Sequence, residues 1–330
     1  MRCIWSNTMK VLVADKHSDT LQHKTRSCIL IGLDSQIWQG GGTGFLGRAL
    51  TRLLKSRGHE VTVVSRQPGE GRITWADLSA NGLPSCDAAV NLAGENILNP
   101  LRRWNEDFKN DVVSSRLETT RSIAKAISEA ETPPRVWVLV TGVGYYPPSL
   151  TAEYTEESPG GDFDFLSRLV KDWEAVARLP GNVACQTRQV VVRSGVILGS
   201  DGGAISQMIW PFRFGLGGPI GSGHQYFPWI HVVDSAGIIA HTLENEDVHG
   251  VLNGVAPGMA TNAEFTQWFA SALWRPAFLP LPGFAVNVVF GEERGVMLLE
   301  GQKVIPQRTL ASGYKFAFTD LSSALKDIVS

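Results

Sequence analysis

The chain has 330 residues, 43% hydrophobic and 19% charged, with 30 basic against 32 acidic side chains and a formal charge of -2. That length and apolar content support a sizeable buried core and exclude both a small stapled scaffold and a disordered chain. The balanced charge leaves no basic footprint, so no nucleic-acid and no membrane partner is expected and a small molecule is the starting expectation. Four scattered cysteines (Cys3, Cys28, Cys86, Cys185) form no CxxC pair and have no His at zinc-ligand spacing, so neither a metal nor a disulfide framework is expected. No apolar run approaches the ~20 residues of a membrane span. The N-terminus lacks a signal-peptide apolar core and carries acids that a transit peptide avoids. The expectation is a soluble protein of a reducing compartment, the cytoplasm favoured over an organelle matrix.

In chain order, Met9–Val13 reads as a first strand, but Ala14–Gln39 separates it from the next motif and shows no clean periodicity. Deleting that stretch would join MKVLV directly to GGGTGFLG. The expectation is therefore an insertion foreign to the fold, from an alternative splice or a retained intron. Two arrangements stay open: MKVLV keeps the central strand position while the insert loops out, or Cys28–Ile31 replaces it. The glycine loop follows, with Gly41, Gly44 and Gly47 at three-residue spacing leading into an amphipathic helix over Leu46–Arg57. Glycines there let a pyrophosphate approach the positive end of the helix.

Buried-strand patterns follow at Glu60–Val64, Ala88–Leu92, Val136–Thr141 and Gln189–Arg193, with helical stretches at Trp104–Ala130 and Phe165–Arg178 between them. Alternating strands and helices predict an α/β, doubly wound parallel Rossmann sheet. The strand from Glu60 ends in Ser65-Arg66, a hydroxyl and a guanidinium suited to the 2′-phosphate of NADP, where an acid would select NAD. Beyond Gly199 the chain turns Gly- and Pro-rich, with two further helix candidates and a smaller substrate-side lobe. The segment Gly215–Gly223 reads as a mobile substrate lid. The expected division is 1–39 atypical, 40–280 cofactor-binding and 281–330 a small C-terminal domain.

The stretch Asp87–Gly94 (DAAVNLAG), together with RSGVILG from Arg193 and WIHVVD from Trp229, resembles landmarks of the short-chain dehydrogenase/reductase superfamily, in its extended, epimerase-like branch. More narrowly, VGYY from Val143, DWE from Asp172, FPWIH from Phe227 and LEGQKVIP from Leu299 resemble the epimerase-family proteins of short-chain dehydrogenase/reductase family 39U. The resemblance implies an NADP-binding oxidoreductase or epimerase acting on an unidentified small carbonyl or sugar-nucleotide-like substrate; the oligomeric state stays open, a homodimer being one option. By the same resemblance, Gly41, Thr43, Gly44, Phe45, Leu46 and Gly47 would cradle the pyrophosphate. Ser65 and Arg66 would hold the 2′-phosphate, Leu92, Ala93 and Gly94 would line the strand-end crevice, and Asp111, Arg116 and Ile197 would contact the cofactor.

Catalysis departs from the superfamily pattern. A Tyr-x-x-x-Lys pair is absent: four residues before Lys171 stands Ser167, and Tyr145, Tyr146 and Tyr154 have no Lys four residues on. Thr141 lies at the superfamily's Ser/Thr position. One reading relocates the acid/base to Tyr145 or Tyr146 beside Thr141 and Lys171. The other is a catalytically silent NADPH-binding regulatory or scaffold protein, in which these tyrosines pack against the Pro147-Pro148 turn. His231 and Asp234 resemble half of a hydrolytic triad, but no G-x-S-x-G elbow accompanies them, so a structural role is expected.

Overall fold

The computed structural model describes residues 28–32, 44–99 and 102–330. The candidate strand Met9–Val13 and the loop residues Gly41 and Thr43 lie outside the described residues.

The chain alternates strands and helices through its first two thirds. β1 (Cys28–Gly32) leads to α1 (Phe45–Ser56), then β2 (Glu60–Ser65), β3 (Arg72–Thr74), α2 (Trp75–Asn81) and β4 (Ala88–Asn91). A long α3 (Glu106–Ser128) precedes β5 (Val136–Gly142), a 3-10 turn at Val143–Tyr145, the short β6 (Glu153–Tyr154), α4 (Phe165–Val176) and α5 (Gly181–Ala184). Next come β7 (Arg188–Ser194), β8 (Val196–Leu198), α6 (Gly203–Arg213), β9 (Trp229–His231), α7 (Val232–Glu244) and β10 (Gly250–Gly254). The chain closes with α8 (Asn262–Ala272), α9 (Gly283–Phe290), α10 (Glu292–Leu299), β11 (Lys303–Val304), α11 (Gln307–Ala311) and α12 (Leu321–Val329).

Seven strands form one sheet in the order β10-β7-β5-β4-β1-β2-β3 with every pair parallel. This is the doubly wound Rossmann arrangement, in which the chain reverses direction across the sheet beside β1 and opens a crevice at the strand ends. Cys28–Gly32 occupies the central position between β2 and β4, which realises the second of the two first-strand arrangements. Its sequence, CILIG, meets the need of a strand covered on both faces for a continuous apolar run. It also leaves a shorter connection to the glycine loop than a strand at Met9–Val13 would, and short strand-to-helix connections are the rule in α/β units.

Two apolar layers cover the sheet. Leu50 and Leu54 of α1 and Ile238, Ile239 and Ala240 of α7 pack on one face with Val90, Val138 and Val192. Ile123 and Ile127 of α3, Trp173 of α4 and Leu78 of α2 pack on the other with Val64, Ala89 and Leu139. A third cluster belongs to the smaller lobe, where Phe265 and Phe269 of α8 meet Leu325 and Ile328 of α12 and Phe212 of α6.

The tail does not stand apart from the rest. β11 pairs with β6, and the buried Asp234 of α7 accepts hydrogen bonds from the backbone N–H groups of Ala317 and Phe318 and from the Tyr314 hydroxyl. The segment expected as a mobile lid is tied down. Gly221 N–H donates to Leu281 O, Leu281 N–H to Pro219 O, Leu279 N–H to Gly217 O, and Ile220 N–H to the Asn262 side chain. Residues beyond Gly199 form α6 to α12, more helix than the two candidates expected: α7 packs on the sheet, while α6, α8 and α12 build a cluster of their own.

Candidate functional site

The register of the parallel sheet sets out a crevice along one edge. Gly32 at the end of β1 is level with Val64 and Asn91, and Thr141 and Gly142 are level with Arg193 and Ser194. Ser65-Arg66, Leu92–Gly94, Thr141 and Ser194 therefore all emerge at the carboxyl edge, where doubly wound sheets bind ligands.

The first helix is prepared for an anion. α1 begins at Gly44 with no side-chain cap and no acid in its first turn. α2, α3, α4, α8 and α12 open with a side-chain cap, from Thr74, Asn105, Asp164, Thr261 and Asp320, while α5, α6, α9, α10 and α11 share the uncapped start of α1. Unpaired N–H donors at a helix start with no competing carboxylate fit a pyrophosphate. Gly47 is buried in that turn, and Phe45 lies against the backbone of Gly199, Gly202 and Gly203, which fixes the helix entry against the loop after β8. Leu46 packs against the core layer beside α1.

The crevice wall at β4 is held by side chains. Buried Asn91 accepts from Ala93 N–H through its Oδ1 and donates through Nδ2 to Thr120 Oγ1, which also accepts from Trp173 Nε1. Arg116 donates to Glu95 O and Val112 O and lies over the Trp173 ring at 5.2 Å. A Cβ at Gly94 would stand 3.1 Å from that guanidinium, so glycine is what allows the close approach. Arg116 thus belongs to the crevice wall and is no free surface charge. Asp111 is placed differently: its exposed carboxylate pairs with Arg102 at 2.7 Å. Ser65 is buried, with its hydroxyl donating to Gln67 O, beside the exposed Arg66 at the end of β2. Ile197 sits in β8, paired with Ile230, and packs against the core layer that holds α1.

Farther along the edge, a polar network surrounds Thr141. Arg193 is almost fully buried and holds Glu174 through two bonds of 2.8 Å, from Nε to Oε1 and from Nη2 to Oε2. Thr141 donates to the same Glu174 Oε1 at 3.3 Å. Arg193 Nη1 donates to the Tyr146 hydroxyl, which donates in turn to Asn253 Oδ1. Burial alone would lower the Arg193 pKa, but the Glu174 carboxylate bonded to it reverses that and holds it above the ordinary arginine value. Burial raises the Tyr146 pKa against the opposing pull of Arg193.

Tyr145 and Tyr146 have separate fates. Tyr146 is fully buried, stacked on Tyr154 and packed beside Val304, so it is a structural member of the network. Tyr145 is half-buried, with its ring centroid 3.4 Å from the Arg193 guanidinium carbon. A Cβ at Gly161 would stand 2.8 Å from the Tyr145 ring and 2.9 Å from the Lys171 stem. Tyr145 from the 3-10 turn and Lys171 from α4 therefore meet over one glycine, although no sequence spacing links them. Ser167, which stands where the usual spacing would put a tyrosine, is consumed in the α4 cap: its hydroxyl accepts from Phe163 and Asp164 N–H and donates to Asp164 O. Sequence reasoning missed Arg193 and Glu174 as partners, since each lies inside a stretch that reads as an ordinary strand or helix.

His231 and Asp234 do no chemistry at this edge. His231 caps α7 through Nδ1, which accepts from Val233 N–H, and its ring lies against Phe318. Asp234 holds the tail, as described above. Among the described residues no cluster of His, Cys, Asp or Glu could hold a metal ion.

Comparison with known proteins agrees with this geometry. The model of the NAD dependent epimerase/dehydratase family matches residues 40–168, and that of a domain of unknown function, DUF1731, matches residues 281–328. The chain is 69% identical over 291 residues to the human epimerase family protein SDR39U1, covering 88% of this chain and 98% of that protein. The crystal structure of human SDR39U1 (isoform 2) with NADPH superposes with a TM-score of 0.87 at 67% identity, covering 92% of this chain and 99% of the other. A nucleoside-diphosphate sugar epimerase from Corynebacterium glutamicum matches with a TM-score of 0.71 at 26% identity, covering 92% of this chain and 58% of that one.

Proposed function

Since this chain belongs to the epimerase family of SDR39U1 proteins, we propose that it binds NADPH at the strand-end crevice and performs reductase or epimerase chemistry on a small carbonyl or sugar-nucleotide-like substrate. NADP binding follows from the family and from the human relative solved with NADPH. The open α1 terminus and Arg66 fit a pyrophosphate and a 2′-phosphate. The observation that carries the chemistry is Tyr145, its ring between the Arg193 guanidinium and the bare backbone of Gly161, with Thr141 attached to the same network through Glu174.

In this reading bound NADPH supplies the hydride. Tyr145 gives its phenolic proton to the substrate oxygen, or takes it back in the reverse direction. A guanidinium held against the ring face stabilises negative charge arriving on the phenol oxygen, and Glu174 keeps that guanidinium in place. Thr141 positions the substrate oxygen beside Tyr145. In this reading Gly44, Phe45, Leu46 and Gly47 cradle the pyrophosphate, Gly41 and Thr43 being assigned to the same loop by sequence alone, and Leu92–Gly94 and Arg116 line the crevice.

The test is a fluorescence titration with NADPH and NADH, followed by a carbonyl and sugar-nucleotide screen that reads NADPH oxidation or sugar interconversion. NADPH is expected to bind at least tenfold tighter than NADH, with Arg66→Ala removing most of that preference. Tyr145→Phe and Thr141→Ala are expected to lower kcat by about 100-fold, the usual scale for acid–base groups, while leaving NADPH affinity unchanged. Turnover that survives both substitutions would remove Tyr145 and Thr141 from the chemistry. Tight NADPH binding with no turnover on any compound would favour a silent binding protein.

A further inference from the structure

One face of the smaller lobe carries large apolar side chains in water. Trp210 and Phe214 of the α6 end are 56% and 71% exposed, Trp274 is 90% exposed and Phe278 is 69% exposed. Phe284 and Val288 of α9 reach 74% and 83%. The segments that carry these residues are tied to one another. Arg275 Nε donates to Arg213 O, and Leu279 N–H donates to Gly217 O. Ile220 bridges to Leu281, which leads directly into α9. An exposed apolar surface of this extent is uncommon on a protein that meets only water and small ligands.

The charges on this surface have one sign. Between Asp201 and Asp234 the chain contains no acid, and none lies between Glu264 and Glu292. Those two stretches supply Arg213, whose guanidinium lies 5.4 Å from the Trp210 ring, and Arg275. The flanking acids have partners of their own: Glu264 is used in the α8 cap, Asp201 pairs with Arg52, and Glu293 bonds Trp104 and Lys109. Glu292 alone marks the edge. A second copy of the chain set on this face would find only Glu292, at its edge, to pair with Arg213 and Arg275. A bilayer surface rich in anionic headgroups instead offers apolar depth for the tryptophans and phenylalanines and negative charge for the arginines.

We propose that this face docks the protein peripherally on an anionic phospholipid bilayer, with Trp210, Phe214, Trp274, Phe278 and Phe284 entering the interface and Arg213 and Arg275 at the headgroups. No described helix is long and apolar enough to cross a membrane, so the contact lies on one leaflet. The overall charge of -2 is small, and the two stretches that carry these residues contain no acid.

The experiment is flotation of the full chain, with NADPH present, on vesicles of pure phosphatidylcholine and of phosphatidylcholine with about one third phosphatidylserine, a fraction high enough for a strong negative surface. Binding is expected on the anionic vesicles only, falling several-fold as salt is raised, with a blue shift of tryptophan emission. Trp274→Ser with Phe278→Ser, and separately Arg213→Glu, are each expected to reduce it about tenfold or more. Unchanged melting and NADPH affinity would show these variants to be folded. The salt and lipid dependence of the unmodified protein tests the idea without any variant. Absence of binding to anionic vesicles, or equal binding to neutral ones, would overturn it. So would a dimer in sedimentation that the serine variants dissociate.

Discussion

Arg193 is the residue on which the candidate site turns, and burial is the reason. A guanidinium removed from water needs acceptors, and Glu174 and Tyr146 take three of its five N–H groups. Arg193→Met is expected to destabilise the fold by about 3–5 kcal/mol, since it strands the Glu174 carboxylate; adding Glu174→Leu should recover most of that in denaturant unfolding while turnover stays lost. Both residues stand in stretches that carry the family resemblance, but neither was a site candidate in the sequence. Ser65, Arg66 and the glycines of the loop were candidates there because phosphate recognition is local: it needs a backbone turn, a helix start and a neighbouring cation. An acid/base site is assembled across elements, and no residue spacing encodes the approach of Tyr145 to Arg193 and Lys171.

Among the elements, the strands were the most legible, with β2, β4, β5 and β7 lying within two residues of their expected bounds. Continuous apolar runs leave little choice when both faces of a sheet are covered. The short elements β3, β6, β8, β9 and β11 have two or three residues each and no pattern of their own; they exist because partners stand beside them. The turn between β6 and α4 bears directly on the site. Gly161 has φ +84°, a conformation side chains rarely adopt, and its missing Cβ makes room for the Tyr145 ring and the Lys171 stem. Gly161→Ala is expected to lower stability by about 1–3 kcal/mol from backbone strain and close contact. It should also reduce kcat far more than NADPH affinity, which steady-state kinetics beside cofactor titration would separate.

At the scale of the whole molecule, the sheet, the smaller lobe and the tail lock together around α7. His231 starts that helix, and its ring lies between the helix and Phe318 of the tail. Burial pushes the His231 pKa below its ordinary value, with Asp327 and Asp234 opposing. The unfolded chain then binds a proton that the folded one refuses, so stability falls as pH drops below about 6.5, the unfolded value, towards the lowered folded value. Melting curves from pH 7.5 to 5.5 are expected to show this loss. His231→Asn, which retains a capping side chain, should flatten it; an unchanged slope would put the pH dependence elsewhere. The sequence by itself determined the doubly wound class, the family and NADP as the cofactor, because apolar periodicity and family motifs are written in neighbouring residues. Only the tertiary structure decided that Cys28–Gly32 fills the central strand position, that Tyr145 meets Arg193 while Tyr146 is buried, and that apolar side chains and arginines gather on one face of the smaller lobe. Those outcomes depend on which distant segments touch, and contact between distant segments is settled by packing the whole chain at once.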